Sequence, residues 1–275
     1  MTNSGIRIGI FDSGVGGLTI YQAVRSSLPS ASFSYCSDNE FHPYGTKSDE
    51  AVANRTLDVC ERFVAAAKLD LLVVACNTAS TVALALLRSR LSLPVVGVVP
   101  AIKPAAERSA TGVIGLLATP ATIRRQYVEE LIQQFAGHCH VVRAGSSRLV
   151  ELAEEKARGR DVAVEAIHAE INSLFVEYPQ VGKNLRLDTI VLGCTHFPLL
   201  LDELRAAAPW PVQWIDSGNA IASRVSHLIQ ASGASLPAAA PAGESIAWVT
   251  RLDPAASLLA PMMGRFGFNS MRQLP

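Results

Sequence analysis

The chain has 275 residues, 49% of them hydrophobic and 17% charged, which supplies ample material for buried cores and excludes a disordered polymer. Its 24 basic and 24 acidic residues cancel, so no overall field draws it to nucleic acid or to an anionic membrane, and a small-molecule partner is expected. One large domain or two moderate ones fit this length, no apolar run approaches the roughly 18 residues of a membrane span, and five cysteines without a CxxC pair read as reduced thiols.

The first 11 residues lack the basic start and long apolar stretch of a secretion signal, so a cytoplasmic protein is expected. Residues 6–11 read as a buried strand, 12–17 as a loop and 18–28 as a helix stopped by Pro29. A strand over 33–36, a long helix over 47–67, a strand over 71–75, a helix over 78–91 and a strand over 95–99 complete a first set. After Pro100 and Pro104 the order restarts: strand 112–117, loop 118–122, helix 123–135, strand 139–143, helices through Glu177, then strand 189–192. Residues 231–243, rich in Ala, Ser, Pro and Gly, read as a surface connector before a last strand, 246–250, and a helix. The pattern predicts an α/β fold of two similar parallel-sheet domains facing a central cleft, a pseudo-symmetric duplication with chemistry at the carboxyl ends of strands. The first domain is expected at 1–100 plus 212–275 and the second at 101–211, with an insertion near 150–185.

Two cysteines close near-matching segments, Leu71-Leu-Val-Val-Ala-Cys-Asn-Thr78 and Thr189-Ile-Val-Leu-Gly-Cys-Thr-His196. Each thiol ends a continuous apolar run where a helix pattern begins, and the positive end of such a helix favours a thiolate below the free value of about 8.5. Cys76 and Cys194 therefore suggest two matched bases. The loop Gly14-Val-Gly-Gly17 invites a nucleotide reading, with Asp38 about where a ribose-binding acid belongs, but Thr19 replaces the third glycine of the dinucleotide fingerprint. A small carboxylate cradle and a plain tight turn both stay open for this loop. Asp12 reads as a buried strand-end carboxylate or a helix cap, and Ser13 as a cap or a ligand contact. Asn77, Thr78 and Thr195 are natural caps that equally suit a substrate carboxylate. His196, two residues after Cys194, can exchange protons with that thiol, whereas Cys36, Cys60 and Cys139 lack such a setting and read as packing residues.

Taken together, Asp12-Ser-Gly-Val-Gly-Gly17, Pro43-Tyr-Gly45, Ala75-Cys-Asn-Thr-Ala-Ser80 and Gly193-Cys-Thr-His-Phe-Pro198 resemble the aspartate/glutamate racemase superfamily over residues 7–225. The resemblance implies a cofactor-independent isomerase that converts L-glutamate to D-glutamate for peptidoglycan synthesis, with glutamate as its partner, no metal and frequent homodimers. By position it implies that Cys76 and Cys194 are the catalytic bases, Cys76 acting on D-glutamate and Cys194 on L-glutamate, assisted by Asp12 and His196. Substrate contacts are implied at Asp12, Ser13, Tyr44, Gly45, Asn77, Thr78, Thr195 and His196, and further cleft residues at Thr119 and Thr122. The family's glutamate after an Ala-Cys-Pro stretch is matched to Glu154, after Gly145-Ser-Ser147, with Glu151 and Glu155 as rivals. An aspartate or broad-specificity racemase is the alternative within the family. A nucleotide-binding module that leaves both thiols idle is the alternative outside it.

Overall fold

Leu71–Val74 and Thr189–Leu192 are buried at every position, as strands covered on both faces must be. The computed structural model describes residues 5–175, 186–233 and 245–275 and divides into two units, Met1–Val98 with Gly218–Pro275, and Val99–Ser217. In the first unit β1 (Arg7–Asp12), β2 (Ser32–Ser37), β3 (Leu71–Val74) and β4 (Val95–Gly97) share a parallel sheet. In the second, β5 (Val113–Ala118), β6 (His140–Gly145), β7 (Thr189–Leu192) and β8 (Gln213–Ile215) do the same. The chain then returns to the first sheet with β9 (Ile246–Val249) and β10 (Ser270–Gln273), giving the orders β10-β9-β2-β1-β3-β4 and β6-β5-β7-β8. Each unit's first strand thus lies between its second and third, so the two parallel-sheet α/β domains share one plan.

Strand β5 shows how the layers arise from period-two alternation. Val113 and Leu117 join a core with Leu149, Ile167 and Leu204, while Ile114, Leu116 and Ala118 join Ile102, Val128 and Ile132 on the opposite face. Each such large aliphatic side chain contributes about 1.5–3 kcal/mol of burial before chain entropy is subtracted. In the first unit Phe11, Leu72, Val74 and Trp248 pack with Val59 and Phe63 of the helix Asp49–Ala67 and Leu87 of the helix Asn77–Arg90. Ser48 starts the former helix by accepting from Ala51 N at 3.3 Å, and Lys68 ends it in the left-handed region at φ 50°.

Several expectations change. The helix expected over 123–135 is two, Pro120–Ile123 and Gln126–Ala136, because Thr119 caps a first turn at Pro120 and Arg125 returns to extended backbone. Pro104 breaks nothing: it lies in the first turn of the helix Ile102–Arg108, where its missing N–H has no intrahelical acceptor to lose. Residues 212–217, assigned above to the first domain, belong to the second unit, since β8 pairs with β7. The connector expected over 231–243 lies, from residue 234, outside the described residues, as do Glu177 and the end of the 150–185 insertion. Among the described residues no helix is long and apolar enough to cross a membrane.

Candidate active site

In each unit most candidate residues follow the carboxyl ends of two adjacent strands, β1 with β3 and β5 with β7, while Tyr44 and Gly45 lie in a turn after β2 and Glu154 in the helix Arg148–Ala157. Phe11 pairs with Val74 and Leu117 with Leu192, so Cys76 and Cys194 each stand two residues beyond a paired position. The backbone continues the match: Ala75 N donates to Phe11 O, and Gly193 N to Leu117 O, both at 2.7 Å. A Cβ on Gly193 would lie 2.9 Å from Ala118 Cβ, and one on Gly17 would lie 2.7 Å from Asp12 Cβ, so both sites require glycine for close approach. By this register Thr119 is the counterpart of Ser13, and Ala118 of Asp12.

Cys76, in extended backbone at φ −115°, is the N-cap residue of the helix Asn77–Arg90. The first N–H groups of that helix have no intrahelical acceptors, and its positive end favours negative charge on the sulfur or on a ligand. Ser13 Oγ lies 3.6 Å from Cys76 Sγ, and the wholly buried Asp12 accepts from Gly14 N at 2.6 Å. Tyr44 is 2% exposed and donates its hydroxyl proton to Asp38 Oδ2 at 2.7 Å. Burial first, then the charge of Asp38, drives its phenol well above the ordinary value, and negative charge on Cys76 pushes the same way. Gly45 is exposed, with open space where a Cβ would stand. Thr78 is buried in the first turn of the Cys76 helix, beside Asn77. Both side-chain polar atoms of Asn77 are buried without a hydrogen-bond partner among the described residues. Such an orphan group costs about 1–3 kcal/mol, which the polar atoms of a ligand would offset.

The second unit handles its thiol differently. An α-helix does not begin directly after Cys194: a 3-10 turn, Phe197–Leu200, intervenes with His196 as its N-cap, ahead of the helix Leu201–Ala207. An imidazole stands where the first unit has a helix terminus. Cys194 Sγ is 3.9 Å from His196 Nδ1, and His196 Nε2 is 2.9 Å from Glu154 Oε1. Arg158, one turn beyond Glu154, brings a guanidinium nitrogen to 3.1 Å from Oε2. With Glu154 ionised, the neutral imidazole carries its proton on Nε2 and offers the Nδ1 lone pair to the thiol. Protonated, it becomes a cation beside the thiolate. Glu151 and Glu155 instead pair with Arg148 at 2.7 and 3.3 Å on a more exposed face. Thr119 Oγ1 accepts from Thr122 N at 3.3 Å and lies 2.9 Å from Thr122 Oγ1, and Thr195 is buried beside Cys194.

Arg158 escaped the reading of the sequence, although its i+4 spacing from Glu154 was an available signal. The nucleotide alternative loses its acid, because both Asp38 oxygens are taken by Arg55, Tyr44 and Thr250. Cys36 and Cys60 are buried in the first unit's core, where burial pushes both thiols up, and Cys139 packs half-exposed against the second unit's core.

The sequence pattern of the Asp/Glu/hydantoin racemase family matches residues 18–225. The chain is 44% identical over 266 residues to the glutamate racemase of Salmonella gallinarum, spanning 97% of this chain and 91% of that one. It is 43% identical to the glutamate racemase of Pectobacterium carotovorum, spanning 97% and 90%. The crystal structure of Escherichia coli glutamate racemase in complex with L-glutamate and the activator UDP-MurNAc-ala matches with a TM-score of 0.88 at 42% identity, over 98% of both chains. A glutamate racemase isoform of Bacillus anthracis matches with a TM-score of 0.79 at 29% identity, over 98% of this chain and 97% of that one. A family match across most of the chain, together with the same fold, means that the chain belongs to the Asp/Glu/hydantoin racemase family and is an isomerase.

Proposed function

We propose that the chain racemises glutamate without a cofactor, by proton transfer between two thiols. The observation that carries this reading is the pair of buried strand-end cysteines on sheets of one plan, each with its own proton-handling surroundings. Cys76 has Ser13 and a helix N-terminus; Cys194 has His196, Glu154 and Arg158. A Cys76 thiolate takes the α-proton of D-glutamate and becomes a thiol, while the carbanion takes a proton from the Cys194 thiol on its opposite face, leaving a thiolate there. The reverse sequence serves L-glutamate. Asp12 and His196 manage the protons of the substrate ammonium and the thiols.

An amino-acid α-proton is far less acidic than a thiol, so the site must stabilise the developing carbanion, each tenfold in rate requiring about 1.4 kcal/mol. The N–H groups at the start of Asn77–Arg90 and the Asn77 amide supply unused donors for a substrate carboxylate. Glutamate is favoured over aspartate because the relatives at 44% and 43% identity carry its name. In this reading D-glutamate feeds peptidoglycan synthesis in the cytoplasm, and the enzyme works as a homodimer.

Circular dichroism of L-glutamate, D-glutamate and L-aspartate, each incubated with dialysed and chelator-treated protein, tests it. Loss of signal from both glutamate enantiomers supports the proposal. Loss from aspartate alone replaces the substrate, and activity that returns only with an added cofactor overturns the mechanism. In deuterated water, early product should carry α-deuterium while recovered substrate stays protonated; equal early labelling of both pools means one shared base.

A further inference from the structure

Asp38 follows β2, is wholly buried, and has its backbone N–H tied to Asp12 O at 3.0 Å. Its carboxylate accepts four hydrogen bonds. Arg55 and the Thr250 hydroxyl donate to Oδ1 at 2.6 and 2.7 Å, and Arg55 Nε and the Tyr44 hydroxyl donate to Oδ2 at 2.8 and 2.7 Å. The guanidinium grips the carboxylate through two nitrogens, one on each oxygen, and the single hydroxyl proton of Tyr44 is committed to it. The Tyr44 ring is held from the side as well, with the Phe41 and Phe11 ring centroids at 5.9 and 6.5 Å. Thr250 follows β9, so the returning C-terminal segment is anchored on the same carboxylate.

A buried ion pair adds little net stability over apolar packing of the same volume. Displacing a group at a reacting centre by about 1 Å, however, costs up to ~100-fold in rate. We propose that Arg55 and Thr250 act through Asp38 as positioning residues that lock Tyr44 beside Cys76, so that reaction at this thiol depends on a guanidinium that never touches substrate. The inference rests on the reading of Cys76 and Tyr44 as site residues.

The test is a double-mutant cycle in the full chain, reading kcat and KM for both enantiomers together with the thermal midpoint. Arg55→Lys keeps the charge and loses the fork; Tyr44→Phe cuts the link. Arg55→Lys should fold and lower kcat/KM about tenfold, but change it by less than about twofold when Tyr44 is already Phe. Thr250→Val should cost about threefold, again only with Tyr44 intact, and it carries the test if Arg55→Lys fails to fold. Equal losses in both backgrounds, or a lowered midpoint with kcat and KM unchanged, overturn the proposal. Cys76→Ser separates the two failures. If that variant still racemises glutamate, the site reading falls and takes this inference with it; if it is inactive while Arg55 shows no coupling to Tyr44, only the positioning role falls.

Discussion

Ser13 and Thr119 occupy the same register position in the two sheets, two residues beyond the pairs Phe11 with Val74 and Leu117 with Leu192. In the first unit that place sets a hydroxyl 3.6 Å from a thiol; in the second the hydroxyl caps the helix Pro120–Ile123. Ser13→Ala should therefore lower kcat/KM about tenfold with the thermal midpoint unchanged, since it removes one hydrogen bond to sulfur. Thr119→Val should instead destabilise the fold by about 1 kcal/mol through the lost cap. The equilibrium constant between enantiomers is one, so kcat/KM must change equally in both directions, and kcat and KM taken separately carry the information. A Ser13→Ala enzyme with unaltered kinetics removes the hydroxyl from the mechanism.

The cysteines give the plainest test. A hydroxyl is a much weaker acid than a thiol, so Cys76→Ser and Cys194→Ser should each reduce racemisation by at least about a thousandfold while the circular dichroism of the fold is kept. Cys139→Ser, on the half-exposed second-unit surface, should stay within about twofold of the parent. Near-normal turnover by either of the first two variants removes that thiol from the chemistry.

How far this site was legible depends on the residue. The strand-end thiols announced themselves, because a short continuous apolar run ending in a polar segment is the mark of a doubly covered strand. The correspondence of Thr119 with Ser13 was hidden, since register is a property of strand pairing and not of spacing along one chain. Strands β8 and β10 carry Gln213, Arg272 and Gln273 in place of an apolar run, and backbone pairing holds them without a side-chain signature. Glu154 could have been separated from its rivals by period: Val150, Ala153, Glu154 and Ala157 form the buried stripe of the helix Arg148–Ala157, and Glu151 and Glu155 lie off it. Arg55 lies ten residues beyond the Pro43-Tyr-Gly45 motif, inside the helix Asp49–Ala67, and only the folded chain brings it to Asp38.

That stripe leads to the next expectation. Glu154→Gln keeps the volume and removes the charge shared by His196 and Arg158, so the tautomer that offers Nδ1 to Cys194 is no longer enforced. It should lower kcat by about 10- to 100-fold. Glu151→Gln and Glu155→Gln, which only loosen exposed pairs with Arg148, should change kcat by less than about twofold. A loss in all three alike would point to the helix and away from the His196 contact.

Asp188, just before β7, ties the amino end of that strand to the loop before β5. It accepts from Ser109 Oγ at 2.6 Å, Ala110 N at 2.7 Å, Thr111 N at 2.9 Å and Thr189 Oγ1 at 3.0 Å. Burial alone would raise its carboxyl, but these bonds outweigh that and hold it below the usual carboxylate range. A folded value below the unfolded one, about 3.9, means that the bonds stabilise the fold above that pH and that their contribution is lost as pH falls through the folded value. Asp188→Asn should cost about 1–2 kcal/mol near neutrality, discounted for a half-exposed group, and should narrow its gap from the parent as pH falls below about 4. A gap that stays constant between about pH 6 and 3 contradicts the assignment.

Asn77 separates binding from folding most cleanly. It stands directly after Cys76 at the start of a 14-residue helix, with both amide atoms buried and no hydrogen-bond partner among the described residues. A group kept for stability would be paired; an unpaired one destabilises the unliganded fold and is useful only when something polar meets it. Asn77→Leu, of similar volume, removes the desolvated amide and should leave the thermal midpoint of the free protein unchanged or raise it, by up to about 1 kcal/mol of stability. The same change should raise KM for both glutamate enantiomers at least about tenfold, because the donors that would hold the substrate carboxylate are reduced to backbone N–H groups. Asn77→Asp sharpens the distinction: a carboxylate at the start of a helix is favourable to the fold but repels an anionic substrate, so stability and affinity should move in opposite directions. Should Asn77→Leu lower the midpoint by several degrees and leave KM untouched, the amide serves the fold, and the ligand-binding role assigned to it is wrong.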